Sequence, residues 1–193
     1  MKSYNFAPIL QNITILLIDV DGVLTGGGIT YTSAGEESKK FNVKDGLGLV
    51  MLRLMGIRTG IITGRSSLVV ERRAKELGFD FILQGYPIKL PIYQKLKDEL
   101  SLPDEAFAFI GDDLIDIDVM RQVGFAASPA DAHPAVKQVA HYVCRNRGGV
   151  GAIREVVDLI TAFRRGEFGA QNYIPMQLLE KWQDIVWKKL NDN

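Results

Sequence analysis

Short apolar segments alternate with longer amphipathic segments along the chain. Apolar runs of four to eight residues are typical of buried strands, and apolar residues recurring every three or four positions are typical of helices. The predicted strands are 13–19, 57–62, 80–84, 106–110, 124–127 and 141–144. The predicted helices are 45–56, 66–78, 88–101, 113–123, 133–139 and 151–164. This alternation of strands and helices predicts the α/β class.

Some of the predicted strands are apolar at consecutive positions and so on both faces. The segment "AFAFI" at 106–110, for example, has no polar residue at any position. Strands of this kind are typical of a parallel sheet covered by helices on both sides. Strands of a sheet with one solvent-exposed face alternate apolar and polar residues. We therefore predict a doubly wound, Rossmann-like parallel sheet in one domain that spans residues 1–165.

Two segments interrupt the alternation. Residues 26–43, "GGGITYTSAGEESKKFNV", flank a polar glycine-containing turn with β-branched and aromatic residues, which predicts a β-hairpin projecting from the sheet. The tail, 166–193, places Leu178, Trp182 and Ile185 at helical spacing, which predicts an amphipathic helix over 176–190. Because an apolar stripe of this extent needs a cover, we predict that the tail makes an oligomer contact.

Composition excludes several classes of protein. The chain has 193 residues, and its 23 lysines and arginines balance 23 aspartates and glutamates, so no net positive field favours nucleic acid or an anionic membrane. No apolar run approaches the roughly 18 residues that a membrane-spanning helix requires. The single cysteine, Cys144, cannot form a disulfide within the chain. We expect a cytoplasmic protein that binds neither nucleic acid nor membrane.

Polar side chains follow three of the predicted strands, at the point where each strand ends. They are Asp19 and Asp21, Thr63 and Arg65, and Asp112, Asp113 and Asp116. Ligands of open α/β sheets bind beyond the carboxyl ends of the strands, so these groups are expected to share one crevice with Lys89, which begins a helix. Clustered carboxylates repel unless a cation lies among them, and oxygen ligands suit Mg²⁺.

The segments that contain these polar residues resemble four motifs of a known family. "DVDGVLT", "ITGR", the lysine at 89 and "GDDLID" are similar, in this order, to the motifs of the haloacid dehalogenase superfamily. "KKFNVKDGLG" and "RGGVGAIREV" extend the resemblance to a compact bacterial branch of sugar-acid phosphatases, over about 13–165. The resemblance implies a fold with no separate cap domain. It also implies a homo-oligomer, most often a tetramer, in which hairpin and tail help to close a neighbour's site.

The resemblance implies roles for the aspartates. Asp19 is expected to attack phosphorus and form an aspartyl-phosphate, and Asp21 to act as general acid and then as general base. The expected Mg²⁺ ligands are the Asp19 carboxylate, the Asp21 carbonyl and the Asp112 carboxylate.

The remaining motif residues would act around these groups. Thr63 and Lys89 are expected to bind the phosphoryl oxygens and to stabilise their charge during catalysis. Asp113 and Asp116 are expected to bind the lysine and the water ligands of the metal without contacting the metal themselves. Asp113 has an equally good alternative role as the N-cap of the helix at 113–123.

Substrate choice is expected to depend on Arg65, because its guanidinium can pair with a sugar-acid carboxylate, and Arg73 is expected to assist. The resemblance implies an octulosonate 8-phosphate in lipopolysaccharide precursor synthesis. Phosphatases of nine-carbon 2-keto acid 9-phosphates are the alternative, but they tend to carry glutamate after "TG" and lysine where this chain has Glu76. Arg65 and Glu76 therefore favour the eight-carbon acid.

Two classes without phosphatase activity also gather such residues. A response-regulator receiver accepts phosphate on an aspartate, but it carries that aspartate on a later strand, whereas "DVD" closes the first strand here. A catalytically silent assembly subunit would lack the nucleophile, the acid or the lysine, and this chain has all three. We therefore predict a phosphoric monoester hydrolase.

Overall fold

The structure, a computed structural model, describes residues 6–164 and 176–191. Its strands are β1 Ile15–Ile18, β2 Thr30–Tyr31, β3 Glu37–Ser38, β4 Arg58–Thr63, β5 Phe81–Gln84, β6 Phe107–Ile110, β7 Phe125–Ser128 and β8 Tyr142–Val143. Its helices are α1 Ala7–Leu10, α2 Val43–Leu54, α3 Leu68–Leu77, α4 Lys89–Leu100, α5 Ile117–Met120, α6 Pro134–Val139, α7 Ala152–Arg164 and α8 Met176–Asn191.

Six strands form one parallel sheet in the order β5-β4-β1-β6-β7-β8. Strand β1 lies at the centre, where Ile18 is opposite Ile61 of β4 on one side and Ile110 of β6 on the other. The chain first adds strands on the β4 side and then returns past β1 to build the other side, so β1 marks the point where the winding reverses. The predicted doubly wound parallel fold is confirmed.

Two apolar cores lie on opposite faces of this sheet. Leu16 and Ile18 of β1 belong to the core that also holds residues of α2, α3 and α7. Ile15 and Leu17 belong to the core beneath α4, α5 and α6. Because successive side chains point to opposite faces, each β1 residue is buried on one side or the other. This two-sided burial explains why the strand has no polar position.

The predicted helix at 113–123 is shorter than expected. A 3₁₀ turn, Leu114–Asp116, comes first, and α5 covers only four residues after it. Asp113 and Asp116 form a reciprocal capping box across the turn, and Leu114 N donates to Asp113 Oδ1 at 2.7 Å. Aspartates that accept backbone N–H groups in this way favour turns over regular helix, which accounts for the difference. Helix α1 was not predicted.

The predicted hairpin within 26–43 is present. Strands β2 and β3 pair antiparallel, with Thr30 opposite Ser38 and Tyr31 opposite Glu37. The connecting turn closes where Gly35 N donates to Thr32 O at 2.9 Å. The hairpin is a separate two-stranded sheet that follows the first strand of the main sheet and precedes α2.

Helix α8 coincides with the helix predicted over 176–190, and it packs on α2 of the same chain. Lys181 Nζ donates to Leu54 O at 3.3 Å, and Trp182 and Ile185 line a groove with Val50. Part of the apolar stripe therefore already has a cover. Residues 165–175 lie outside the described residues, so the boundary at 165 and the oligomer contact stay predictions. Within the described ranges no helix has the length and hydropathy to cross a membrane.

Gly60 gives a test of how closely the sheet is packed. A Cβ at this position would lie 2.7 Å from Phe81 Cβ and 2.9 Å from Leu17 Cδ2, on the two flanking strands. We expect Gly60→Ala to lower the free energy of unfolding by about 1–3 kcal/mol, because the added methyl overpacks the core. Gly28→Ala is the matched control, since a Cβ there meets no heavy atom of residues 6–164 or 176–191 within 4 Å. Urea midpoints that do not differ between the two variants would contradict this packing.

Candidate active site

The candidate site lies at the carboxyl edge of the sheet, around the end of β1. Asp19 directly follows β1, is only 5% exposed, and its N–H donates to Ile110 O of β6 at 2.9 Å. Thr63 is the buried last residue of β4, and Asp112 lies two residues beyond β6. Since the three strands are parallel neighbours, the structure brings these three predicted residues to one edge, at the winding reversal.

Lys89 reaches this edge from the first position of α4. Its side chain is fully buried, and Nζ lies 2.9 Å from Asp19 Oδ1 and 2.5 Å from Asp116 Oδ1. Burial lowers the pKa of Lys89, but the two carboxylates outweigh it and hold the pKa above its ordinary value. Lys89 is therefore a permanent cation that joins the end of β1 to the loop after β6.

Asp116 and Asp113, both predicted to support the site, have different positions. Asp116 is completely buried, and its Oδ2 accepts the N–H groups of Asp112 at 2.9 Å and Asp113 at 3.1 Å while Oδ1 accepts from Lys89. Asp113 is exposed, and its carboxylate caps the 3₁₀ turn. The structure therefore places Asp116 in contact with the lysine, whereas Asp113 has the capping position that was its alternative.

The turn after β1 packs directly against Asp112. Gly22 has φ +93°, and a Cβ there would lie 2.0 Å from Asp112 Oδ2. Only glycine permits both this conformation and this approach. The motif "DVDG" therefore needs its glycine to bring the backbone beside Asp21 against the Asp112 carboxylate.

Burial and mutual repulsion dominate the electrostatics of the carboxylates. Burial raises the pKa of Asp19 to about 6, opposed by Lys89 and reinforced by Asp116. Burial and the charges of Asp19 and Asp116 raise the pKa of Asp112 to about 8. Carboxylates with pKa values this high hold their charge poorly unless a further cation lies among them.

The donor set fits Mg²⁺. Carboxylate oxygens of Asp19, Asp112 and Asp116 lie within 4.8 Å of one another. Asp112 Oδ1 is buried and has no hydrogen-bond partner among the described residues, whereas both oxygens of Asp116 are occupied. Asp19 and Asp112 are thus the carboxylates available to a cation, and hard oxygen donors of this kind are those that Mg²⁺ prefers.

Asp21 lies at the rim, where the hairpin covers it. Its Oδ1 accepts from Lys39 and lies 3.4 Å from Thr25 Oγ1, and its Oδ2 lies 3.9 Å from Arg65 Nε. Glu37 lies 3.7 Å from Lys39 and 3.5 Å from Arg65. Asp21, Lys39, Glu37 and Arg65 thus form a closed ring of alternating charge, called here the rim ring.

Sequence reasoning missed the two hairpin members of the rim ring. Glu37 and Lys39 are separated by one residue, so an extended strand presents both on one face. This spacing was the available signal. Glu37 also accepts a hydrogen bond from the hydroxyl of Ser67, the N-cap of α3, which lowers the pKa of Glu37. Tyr31 holds the other side of Arg65 through a 2.7 Å hydrogen bond between its hydroxyl and the guanidinium.

Arg73 is not brought into this cluster. Its guanidinium lies over the Phe41 ring at 5.8 Å and donates to Glu76 at 3.4 Å, and Gly46 of α2 leaves the space that it occupies. Arg73 therefore packs between α2 and α3 of its own chain. The predicted role of Arg73 in substrate binding has no support from these contacts and stays a prediction.

Comparison with known proteins identifies the family. Residues 34–124 match the haloacid dehalogenase-like hydrolase family. The 3-deoxy-D-manno-octulosonate 8-phosphate phosphatase KdsC of Yersinia pestis is 49% identical over 149 residues, which cover 77% of this chain and 80% of the relative. This chain belongs to the haloacid dehalogenase-like hydrolases. The Escherichia coli K12 enzyme of the same name is 45% identical over 150 residues, or 78% of this hydrolase and 80% of the relative.

Solved structures agree with this assignment. The 3-deoxy-D-manno-octulosonate 8-phosphate phosphatase of Moraxella catarrhalis, in complex with a magnesium ion, a phosphate ion and KDO, aligns with a TM-score of 0.83 at 41% identity. The alignment covers 86% of this hydrolase and 95% of that chain. The Yersinia pestis structure aligns with a TM-score of 0.82 at 44% identity, over 88% and 92%. This hydrolase is a phosphoric monoester hydrolase whose cofactor is Mg²⁺.

The Asp112 carboxylate gives a test of the metal site that does not depend on activity. We expect Mg²⁺ to raise the melting temperature of chelator-treated wild-type hydrolase, because an ion that binds only the folded state stabilises it. In Asp112→Asn this rise should disappear, while the metal-free variant should be at least as stable as wild type because asparagine never carries the charge that burial and two neighbouring carboxylates disfavour at this position. Asp118→Asn, an exposed acid of α5, is the control. An undiminished Mg²⁺-induced rise in Asp112→Asn would remove Asp112 from the site.

Proposed function

We propose that this hydrolase converts 3-deoxy-D-manno-octulosonate 8-phosphate to the free sugar acid and phosphate through an aspartyl-phosphate at Asp19, as a step in lipopolysaccharide precursor synthesis. The observation that carries the proposal is the position of Asp19, a buried carboxylate that Lys89 contacts at 2.9 Å on the edge that it shares with Asp112. The names of relatives that are 45–49% identical support the substrate.

In the first half-reaction, an oxygen of Asp19 attacks phosphorus as the ester bond to the sugar oxygen breaks. Asp21 gives its proton to that departing oxygen, so the sugar leaves as an alcohol and not as an alkoxide. Asp21 suits this role because it follows Asp19 by two residues and remains partly exposed, with 21% of its side chain accessible.

In the second half-reaction, water attacks the aspartyl-phosphate while Asp21 takes a proton from it. The new bond forms between water oxygen and phosphorus, and the bond between phosphorus and Asp19 breaks, which returns the carboxylate. Phosphate leaves, and Asp21 is again protonated for the next cycle. The same carboxyl group thus serves both directions of proton transfer.

Charge on the transferring phosphoryl group needs compensation throughout. Lys89 and Thr63 would bind its oxygens, and the Asp116 carboxylate would keep the Lys89 ammonium in place. Asp19, the Asp21 carbonyl and Asp112 would hold Mg²⁺, which when bound neutralises phosphoryl charge. Asp116 would hold the loop that carries Asp112, through the two N–H groups that its Oδ2 accepts.

Arg65 supports an acidic sugar as the leaving group. Its side chain is about half exposed and lies beside Asp21, the residue that would protonate the leaving oxygen. A guanidinium at this position can pair with the carboxylate of a 2-keto acid. A nine-carbon 2-keto acid 9-phosphate remains the alternative substrate, and kcat/KM values for the two acids at equal concentration would decide between them. The cytoplasmic location and the homotetramer stay predictions.

Asp19→Asn tests covalent catalysis. We expect turnover to fall by more than about 100-fold, or roughly 3 kcal/mol in barrier height, because the amide is a poor nucleophile. The fold should remain, since Asp19 lies at the carboxyl end of β1 and is not among the described residues that form the two apolar cores. Asp118→Asn is again the control with unchanged turnover. A purified, folded Asp19→Asn hydrolase that keeps more than a hundredth of the wild-type rate would exclude Asp19 as the nucleophile.

Arg65→Glu tests the sugar-acid contact. We expect kcat/KM for the octulosonate phosphate to fall at least about tenfold more than kcat/KM for ethyl phosphate, which has no carboxylate, because the variant repels the acid instead of pairing with it. Arg72→Glu, an exposed neighbour on α3, controls for the change in net charge. Equal losses on both substrates would assign Arg65 to the phosphoryl group or to the fold.

A further inference from the structure

Lys39 is a buried cation that has no role in the proposed reaction steps. Its side chain is completely inaccessible although it lies on the projecting hairpin, outside both apolar cores. Burying an ammonium is costly unless anions compensate it. The Asp21 carboxylate, which Lys39 contacts directly, and Glu37 at 3.7 Å supply this compensation.

Lys39 distinguishes the two oxygens of Asp21. Oδ1 accepts a hydrogen bond from the Lys39 ammonium, and the same oxygen lies 3.4 Å from Thr25 Oγ1. Oδ2 accepts no hydrogen bond from the described part of the chain, and Arg65 Nε lies 3.9 Å from it. One oxygen of Asp21 is therefore tied to the hairpin, and the other is left for the substrate.

Glu37 fixes where Lys39 can lie. One of its oxygens accepts from Ser67, the N-cap of α3, and the other is the one nearest Lys39 and Arg65. The rim ring therefore attaches the hairpin to the body of the protein at α3 and carries that attachment to Asp21. A lysine on a mobile hairpin would not hold a carboxylate in one orientation, whereas one anchored through Glu37 does.

We propose that Lys39 is a positioning residue that holds Oδ1 of Asp21, so that proton transfer to the departing sugar oxygen takes place at Oδ2. In the first half-reaction the proton leaves Oδ2 for the sugar oxygen as the phosphorus–oxygen ester bond breaks and the bond from Asp19 to phosphorus forms. In the second, Oδ2 takes the proton from the attacking water. This inference rests on the proposed role of Asp21 as general acid and base.

The role of Lys39 can be tested by comparing two substrates, one whose leaving group needs a proton and one whose leaving group does not. Ethyl phosphate releases an alkoxide unless it is protonated, whereas p-nitrophenyl phosphate releases a stable anion without help, and neither carries the sugar acid. We expect Lys39→Met to lower kcat on ethyl phosphate at least about tenfold, within the range of general acid catalysis. The initial burst of p-nitrophenolate, which reports phosphorylation of Asp19, should slow less than about threefold, a change too small to involve the general acid.

Three further variants make the result decisive. Lys39→Arg, which keeps a donor and a charge, should recover part of the ethyl phosphate rate, and it also serves if Lys39→Met does not fold. Lys44→Met, an exposed lysine in the first turn of α2, should leave both rates unchanged. Asp21→Asn should show the same separation of substrates as Lys39→Met, and more strongly.

The possible outcomes separate the two proposals. Equal losses on both substrates in Lys39→Met, or no loss on either, would overturn the positioning role of Lys39. If Asp21→Asn separates the substrates and neither Lys39 variant does, Lys39 alone is excluded and the proposed reaction stands. If Asp21→Asn itself does not separate them, the general acid role of Asp21 fails, and the role of Lys39 fails with it.

Discussion

The ion pairs of Lys89 are the interaction on which the rest of the site depends. Three carboxylates, those of Asp19, Asp112 and Asp116, meet in a space where water is largely excluded. When all three are ionised, one ammonium leaves two negative charges uncompensated, which is the charge of one divalent cation. Without the metal, the raised pKa of Asp112 lets a proton offset part of this negative charge, whereas a bound Mg²⁺ offsets it with all three carboxylates ionised. Removing Lys89 would leave more negative charge uncompensated at the place where burial makes charge most costly.

Much of this could be predicted from the sequence, because parallel strands place their carboxyl ends on one edge whatever their exact bounds. Apolar runs located all six strands of the main sheet, and the residues directly after β1 and β6 had to meet. The pattern "GDDLID" did not show which acid turns inward. Asp113 and Asp116 are alike in sequence, and only the path of the 3₁₀ turn buries one and exposes the other.

The contacts that the sequence did not predict all depend on how a hairpin or helix is oriented against the rest of the protein. Lys39 reaches Asp21 across 18 positions of sequence, through the docking of a hairpin whose direction no local pattern specifies. Arg73 differs for the same reason. Its helix was predicted, but the face that it presents to α2 is set by packing around Gly46, which places the guanidinium over Phe41. Element type follows from periodicity, whereas docking angle follows from contacts distant in sequence.

The shortness of the hairpin has a consequence for how this region can change during evolution. Each of its strands has two residues, too few for the hairpin to be stable alone. Glu37 of β3 and Lys39, the residue directly after that strand, therefore hold it in place, and their charged groups lie on one face, 3.7 Å apart. Inserting one residue between them would turn Lys39 away from Asp21, whereas the loop from Thr32 to Glu36 can lengthen without altering that face. Divergence in length should therefore be confined to the loop tip, with the spacing of these two charges kept intact.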